Sequence, residues 1–267
     1  MKTWSKHKIY TYIILLVLLV ARFSESLLVL IYDDLLDSVS RQVHKEFFTF
    51  WVVGLYRFLL AGSLFLIALA VKFNRDELQR MNVDRFFPIL LIISGFLARL
   101  AVPNYCLSFI TFLYMIYLLF GEKGNYSVVE YPSSRKALLA VGIASWVIAL
   151  LLMFVDVEFL GNKQLLAEYV FQTFPMAVYE EAVYRGVLYM LLMDLGITET
   201  KAVYIQALLF WGSHVNRLLA APLFFWVILP LISIAMGYVV FRSKSLTVGS
   251  LLHIAGIASF LNFSWQA

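Results

Sequence analysis

Two adjacent glutamates followed by an arginine stand inside an apolar run, Tyr179-Glu180-Glu181-Ala182-Val183-Tyr184-Arg185. An ionisable side chain within a bilayer costs a few kcal/mol or more, so each needs a partner, a wet cavity or a function. Helical spacing puts Glu181 and Arg185 one turn apart on one face, where they can pair, while Glu180 points about 100° away. One carboxylate is then held ionised and the other is left to work. The chemistry this offers is general base catalysis, in which a carboxylate in a low-dielectric site takes a proton from water. The plainer alternative is that Glu181 and Arg185 staple two helices while Glu180 reaches water.

The next apolar run ends in Phe210-Trp211-Gly212-Ser213-His214, and the last one holds His253, preceded by Arg242-Ser243-Lys244-Ser245-Leu246 and Gly249-Ser250. A lone histidine in a span is usually a hydrogen-bonded packing residue. Two of them close in sequence to an acidic pair suggest a joint site. From the presumed cytoplasmic ends, Glu180, His214 and His253 lie about 13, 12 and 7 residues in, roughly 20, 18 and 11 Å at about 1.5 Å per residue. These depths allow them to meet.

Glu-Glu-x-x-x-Arg, then Phe-x-x-x-His, then a basic-Ser-x-Ser-Leu stretch leading into a histidine resembles the CPBP (CAAX protease and bacteriocin-processing) family over about residues 165–263. The resemblance implies an intramembrane endopeptidase that activates water without a metal. It gives that role to Glu180 with His214, makes Glu181 and Arg185 a supporting pair, and puts His253 in the transition-state pocket. No cofactor and no metal are implied. The substrate implied is a membrane-associated peptide or protein: a prenylated C-terminus, a leader or signal peptide, or a bacteriocin-type precursor. The short, loop-poor chain is more like prokaryotic members, which favours peptide processing at a plasma membrane.

One position departs from the pattern. The family's last motif usually reads His-x-x-x-Asn or Asp, and here the last position is Ile257. Asn262 is nine residues after His253, about 180° around a helix, and cannot fill that place. An oxyanion donor from this helix is therefore absent or comes from elsewhere, and a non-catalytic membrane immunity or regulatory protein is the alternative function. A zinc site of two histidines and one or two glutamates is a weaker reading, since the chain lacks His-Glu-x-x-His spacing. A proton-relaying transporter is disfavoured by the lack of repeat halves.

The elements that must position these residues are membrane helices. Of 267 residues 62% are hydrophobic and 14% charged, against about 45–50% and about 25% in soluble domains. The expected fold is all-α, one polytopic transmembrane bundle of about eight or nine spans. Candidate spans are 9–32, 47–71, 87–101, 105–120, 137–155, 165–193, 202–214, 219–241 and 246–263. Residues 1–160 form family-variable N-terminal helices and 161–267 the helices carrying the motifs. The N-terminal run has the basic start of a signal peptide, but Ala21-Arg22-Phe23 offers no small-residue cleavage site, so it reads as a retained first helix.

Pro88 and Pro103 fall at helix starts, whereas Pro175 and Pro230 lie inside apolar runs and should kink or break them. Most lysines and arginines fall in the loops around 2–8, 72–85, 123–136, 201 and 242–244, which places the N-terminus in the cytoplasm. The loop 72–85 is basic enough to lie on an anionic leaflet. The positive charge is scattered rather than striped, which argues against nucleic acid, and Cys106 has no intrachain partner. Arg22 and Glu25 are spaced to pair with each other, and Arg57, Arg99 and Glu168 read as lodged in the bundle or near interfaces.

Overall fold

A computed structural model describes residues 6–35, most of 75–97, and 174–264, and every regular element there is helical. Helix α1 is Lys6–Leu35 and α2 is Arg75–Arg80. Helix α3, Phe174–Glu181, runs through a π-helical segment, Ala182–Leu188, into α4, Tyr189–Asp194. Helix α5 is Glu199–Gly212 and α6 the short Arg217–Ala220. A second π segment, Phe224–Ile228, leads into α7, Leu229–Ser243, and α8 is Leu246–Ser264. The expected spans 47–71, 105–120 and 137–155, with Cys106, Pro103, Arg57, Arg99 and Glu168, lie outside the described residues.

Helix α5 packs along α7, α7 along α8, and α8 along α3. Among the described residues one 20-residue stretch, Phe224–Ser243, is long and apolar enough to cross a membrane, with mean hydropathy reaching 2.3. It exposes Trp226, Leu231, Ile232 and Tyr238 outward, the surface a lipid-facing helix needs. Helix α1 likewise exposes Ile13, Leu16, Val17 and Val20. Pro230 does disturb its run as expected: it opens α7 directly after the π segment, where the ladder has already been interrupted and a missing amide donor costs little. Pro175 sits at the second residue of α3.

The turns follow from left-handed residues at helix C-termini. After α4, Gly196 takes φ 82°, its amide bonding Met193 O at 3.1 Å and that of Ile197 bonding Leu192 O at 3.0 Å. After α2, Asn82 does the same at φ 58°, with Asn82 N to Gln79 O at 3.1 Å and Val83 N to Leu78 O at 2.9 Å. Both are Schellman closures, in which glycine or asparagine tolerates the left-handed conformation. Lys244, also left-handed at φ 51°, caps α7 just before α8 begins.

The loop after α2 is more than the surface-lying connection that its basic charge suggested. Asp84, 4% exposed, accepts from the amides of Phe86 and Phe87 at 2.9 and 3.3 Å, so it is the N-cap of the following helical stretch. It also accepts from Ser245 Oγ at 2.5 Å, Thr247 N at 2.9 Å and Thr247 Oγ1 at 2.6 Å. Ser245 Oγ in turn accepts from Val248 N at 3.2 Å, capping α8. Asn82 adds its carbonyl to Leu246 N at 2.8 Å and its amide to Arg185 O at 3.3 Å. One buried carboxylate therefore fixes the starts of two helices, one of which carries His253. Hydrogen bonds to a charged acceptor are worth about 1.5–3 kcal/mol each. Asp84→Asn, which turns an acceptor into a donor facing donors, is expected to lower unfolding stability by about 3 kcal/mol, read by thermal unfolding in detergent.

Ion pairs gather the helix ends on that side. Lys8 Nζ lies 2.7 Å from Glu77 and 3.2 Å from Asp194, Arg80 also contacts Asp194, and Tyr12 donates to it at 2.5 Å. Lys244 pairs with Glu199 at 3.2 Å. Burial pushes the Asp194 carboxyl up, but hydrogen bonds from Tyr12, Arg80 and Lys8 outweigh it and hold the group below the usual carboxylate range. A depressed folded value makes this clasp fully stabilising above the unfolded carboxylate value and lost as pH falls through the folded one. Wild type is expected to unfold at a higher temperature than Asp194→Asn near neutral pH, the gap closing in acid; a gap constant with pH would contradict this account.

Candidate active site

Glu181 is fully buried, at 0% exposure, and its carboxylate reaches both across to α8 and one turn along its own helix. Its Oε1 lies 3.2 Å from Arg185 Nη1 and accepts from His253 Nδ1 at 2.9 Å. Its Oε2 faces α8 where Gly249 leaves room, for a Cβ there would stand 2.9 Å from that oxygen and 2.4 Å from Val240 Cγ2. The spacing-based Glu181–Arg185 pair thus forms, across the start of the π segment at Ala182. Single-turn π insertions in α-helices are frequent at functional sites.

Glu180, 5% exposed, points elsewhere, as its one-residue offset requires. Its Oε2 lies 4.0 Å from His253 Nε2 and its Oε1 lies 3.8 Å from Arg22 Nη2 of α1. His253 therefore stands between the two carboxylates, bonded to Glu181 through Nδ1 and facing Glu180 with Nε2. Since Nδ1 donates to a carboxylate, Nε2 of the neutral ring carries the lone pair, a tautomer fixed by the hydrogen-bond network.

His214 lies just past the end of α5, in the turn 213–216, and not within the helix as the span 202–214 had it. The helix stops two residues earlier, at Gly212, where Ser213 turns its hydroxyl back onto Phe210 O at 2.7 Å. His214 Nδ1 also donates to Phe210 O, at 2.8 Å, which leaves the Nε2 lone pair to accept. The Phe210 ring is the wedge of the site. It stacks 4.6 Å from His214 and 5.6 Å from His253 between ring centres, meets Tyr184 edge-on at 5.2 Å, and takes the Arg185 guanidinium on its face at 4.1 Å.

Of the residues marked by the sequence, Arg185, His214 and His253 gather around the Phe210 ring, and Glu180 and Glu181 join them through His253. Glu180 faces His253 and Arg22, whereas the sequence had tied it to His214. Ile257 is half-buried and packs against the core one turn after His253, adding no polar group. Among the described residues no cluster of three or more His, Cys, Asp or Glu side chains is arranged to hold a metal ion.

Three contributors escaped the sequence reading. Arg22 reaches Glu180, a contact no spacing rule predicts between residues so far apart in the chain; the side chain of Glu25, its expected local partner, lies outside the described residues. Ser26 donates to Ser213 O, beside His214. Phe23 lies against Gly212, where a Cβ would stand 3.2 Å from its ring. Helix α1 is therefore one wall of the site.

Residues 162–256 match the family described as type II CAAX prenyl endopeptidase Rce1-like. This stretch contains all five marked residues and is consistent with the resemblance to the CPBP family. No curated protein and no solved structure matches the chain.

Proposed function

We propose that this chain, through its Rce1-like domain at 162–256, is an intramembrane endopeptidase in which Glu180 activates water for attack on a peptide bond. The observation that carries the reading is the arrangement of Glu180 and His253 Nε2, 4.0 Å apart in a largely buried surround, with Glu181 and Arg185 holding His253 in place. Glu180 takes the proton of a water molecule as the water oxygen attacks the carbonyl carbon. His253 and His214 present ring nitrogens to the same space, to orient that water and receive charge that develops on the adduct. Glu181 does not exchange protons; its two contacts fix the tautomer and direction of His253, as the carboxylate does in a catalytic triad.

The substrate class is a membrane-associated peptide or protein, such as a leader peptide, a bacteriocin-type precursor or a CAAX-type C-terminus, at a prokaryotic plasma membrane with the N-terminus of the enzyme inside. The purified protein is tested against a library of apolar and leader-type peptides, with and without chelator. Cleavage unaffected by chelator and lost in His214→Ala is the expected result; chelator-sensitive cleavage would remove the metal-free mechanism. A second reading, a non-catalytic immunity or regulatory protein of the same family, is favoured by Ile257 alone, and a wild-type protein that cleaves nothing in the library supports it.

A further inference from the structure

The reaction proposed for Glu180 needs a donor for the carbonyl oxygen, and α8 offers Ile257 where the family pattern has Asn or Asp. We infer that Arg22 of α1, outside the Rce1-like segment, is the catalytic cation that stabilises this oxyanion; the inference rests on the reading under Proposed function.

Arg22 Nη2 is 3.8 Å from Glu180 Oε1, with side-chain exposures of only 14% and 6%. Its Nε is fully buried, so the head group sits among the packed helices and not in solvent. Ser26, one turn further along α1, is bonded to the carbonyl of Ser213, and Phe23 is seated on Gly212. These contacts fix α1 against the turn that carries His214 and so fix the height of Arg22.

The charge balance of the reaction suits such a residue. As water attacks, its O–H bond breaks and the proton goes to Glu180. The oxygen's electron pair forms the bond to the carbonyl carbon, and the C=O π pair moves onto the carbonyl oxygen. When the adduct collapses, C=O re-forms, the C–N bond breaks, and the proton on Glu180 passes to the departing nitrogen. One negative charge thus leaves Glu180 for the oxyanion and returns. A guanidinium with five donors in a fixed fork can stay beside an anion throughout. Held by Glu180 in the resting state, it needs no reorganisation when the charge moves.

The test uses the full chain in detergent with a peptide that the wild type cleaves. Arg22→Gln is expected to lower kcat by about 10²–10³-fold, the effect of losing one oxyanion donor, with KM nearly unchanged. Arg22→Lys should keep more of the rate, and added guanidinium should restore part of it to Arg22→Ala. Placing Ile257→Asn in the Arg22→Gln background should recover part of kcat, because it returns a donor to the family position. A folded Arg22→Gln protein with wild-type kcat overturns the inference. So does a loss that Lys, guanidinium and Ile257→Asn all fail to relieve, which marks Arg22 as structural. A wild-type protein that cleaves no peptide overturns the endopeptidase reading and this inference together, an outcome distinct from the other two.

Discussion

Glu180→Gln is expected to lower peptide cleavage by about 10³–10⁴-fold while leaving the protein folded. General acid–base catalysis contributes about 10²–10⁴-fold, and the upper part of that range applies because Glu180 serves twice, taking the proton from water and returning it to the leaving nitrogen. The amide keeps the shape of the carboxylate in a site only 5% exposed, so the packing around it is preserved. It removes a negative charge next to Arg22, at 3.8 Å and beyond hydrogen-bond length, so the thermal midpoint is measured beside the rate to separate the two effects. The measurement is the single-turnover cleavage rate beside the thermal unfolding midpoint. A rate within about tenfold of wild type, with the midpoint unchanged, excludes Glu180 as the base and moves that role to a histidine. The corresponding Glu181→Gln change separates the two carboxylates, for it should cost stability as well as rate.

How much of this could be read from the sequence depends on the range of the interaction. The Glu181–Arg185 contact was legible because it is a helical i,i+4 pair, and its distance of 3.2 Å reflects that spacing. The offset of Glu180 was legible for the same reason. That the two histidines would join them followed from the cost of burying charge, since solitary ionisable groups do not persist in apolar helices. The particular pairing of His253 with Glu181 was not legible, because it depends on how closely α8 approaches α3, and that approach is set by Gly249. The approach of Arg22 to Glu180 was not legible either, because spacing rules see only local partners and this contact depends on how α1 docks. Asp84 looked like one acid in a basic loop. Its importance comes from capping two helices at once, and only the meeting of 82–84 with 245–247 reveals it. The turn that places His214 was missed by two residues, since a serine that bonds back to the carbonyl of Phe210 ends the helix where hydrophobic periodicity alone would continue it.

Arg185→Met should then be among the most destabilising single changes in the described part of the molecule, at about 3–5 kcal/mol, the range seen when one member of a buried ion pair is removed. Arg185 is 2% exposed and Glu181 0%, so neither can turn to water when its partner is lost. The orphaned Glu181 would keep His253 Nδ1 and face Gly249 of α8, which has no side chain to offer a hydrogen-bond donor. Replacing both members, as Glu181→Met with Arg185→Met, removes the stranded charge and should recover much of the stability. It should not recover cleavage, because His253 then loses the acceptor that orients its ring. Thermal unfolding in detergent reads the first effect and peptide hydrolysis the second. If the double variant is as unstable as Arg185→Met alone, the loss comes from packing against Phe210 and not from charge. If the double variant cleaves at the wild-type rate, Glu181 is not the residue that orients His253.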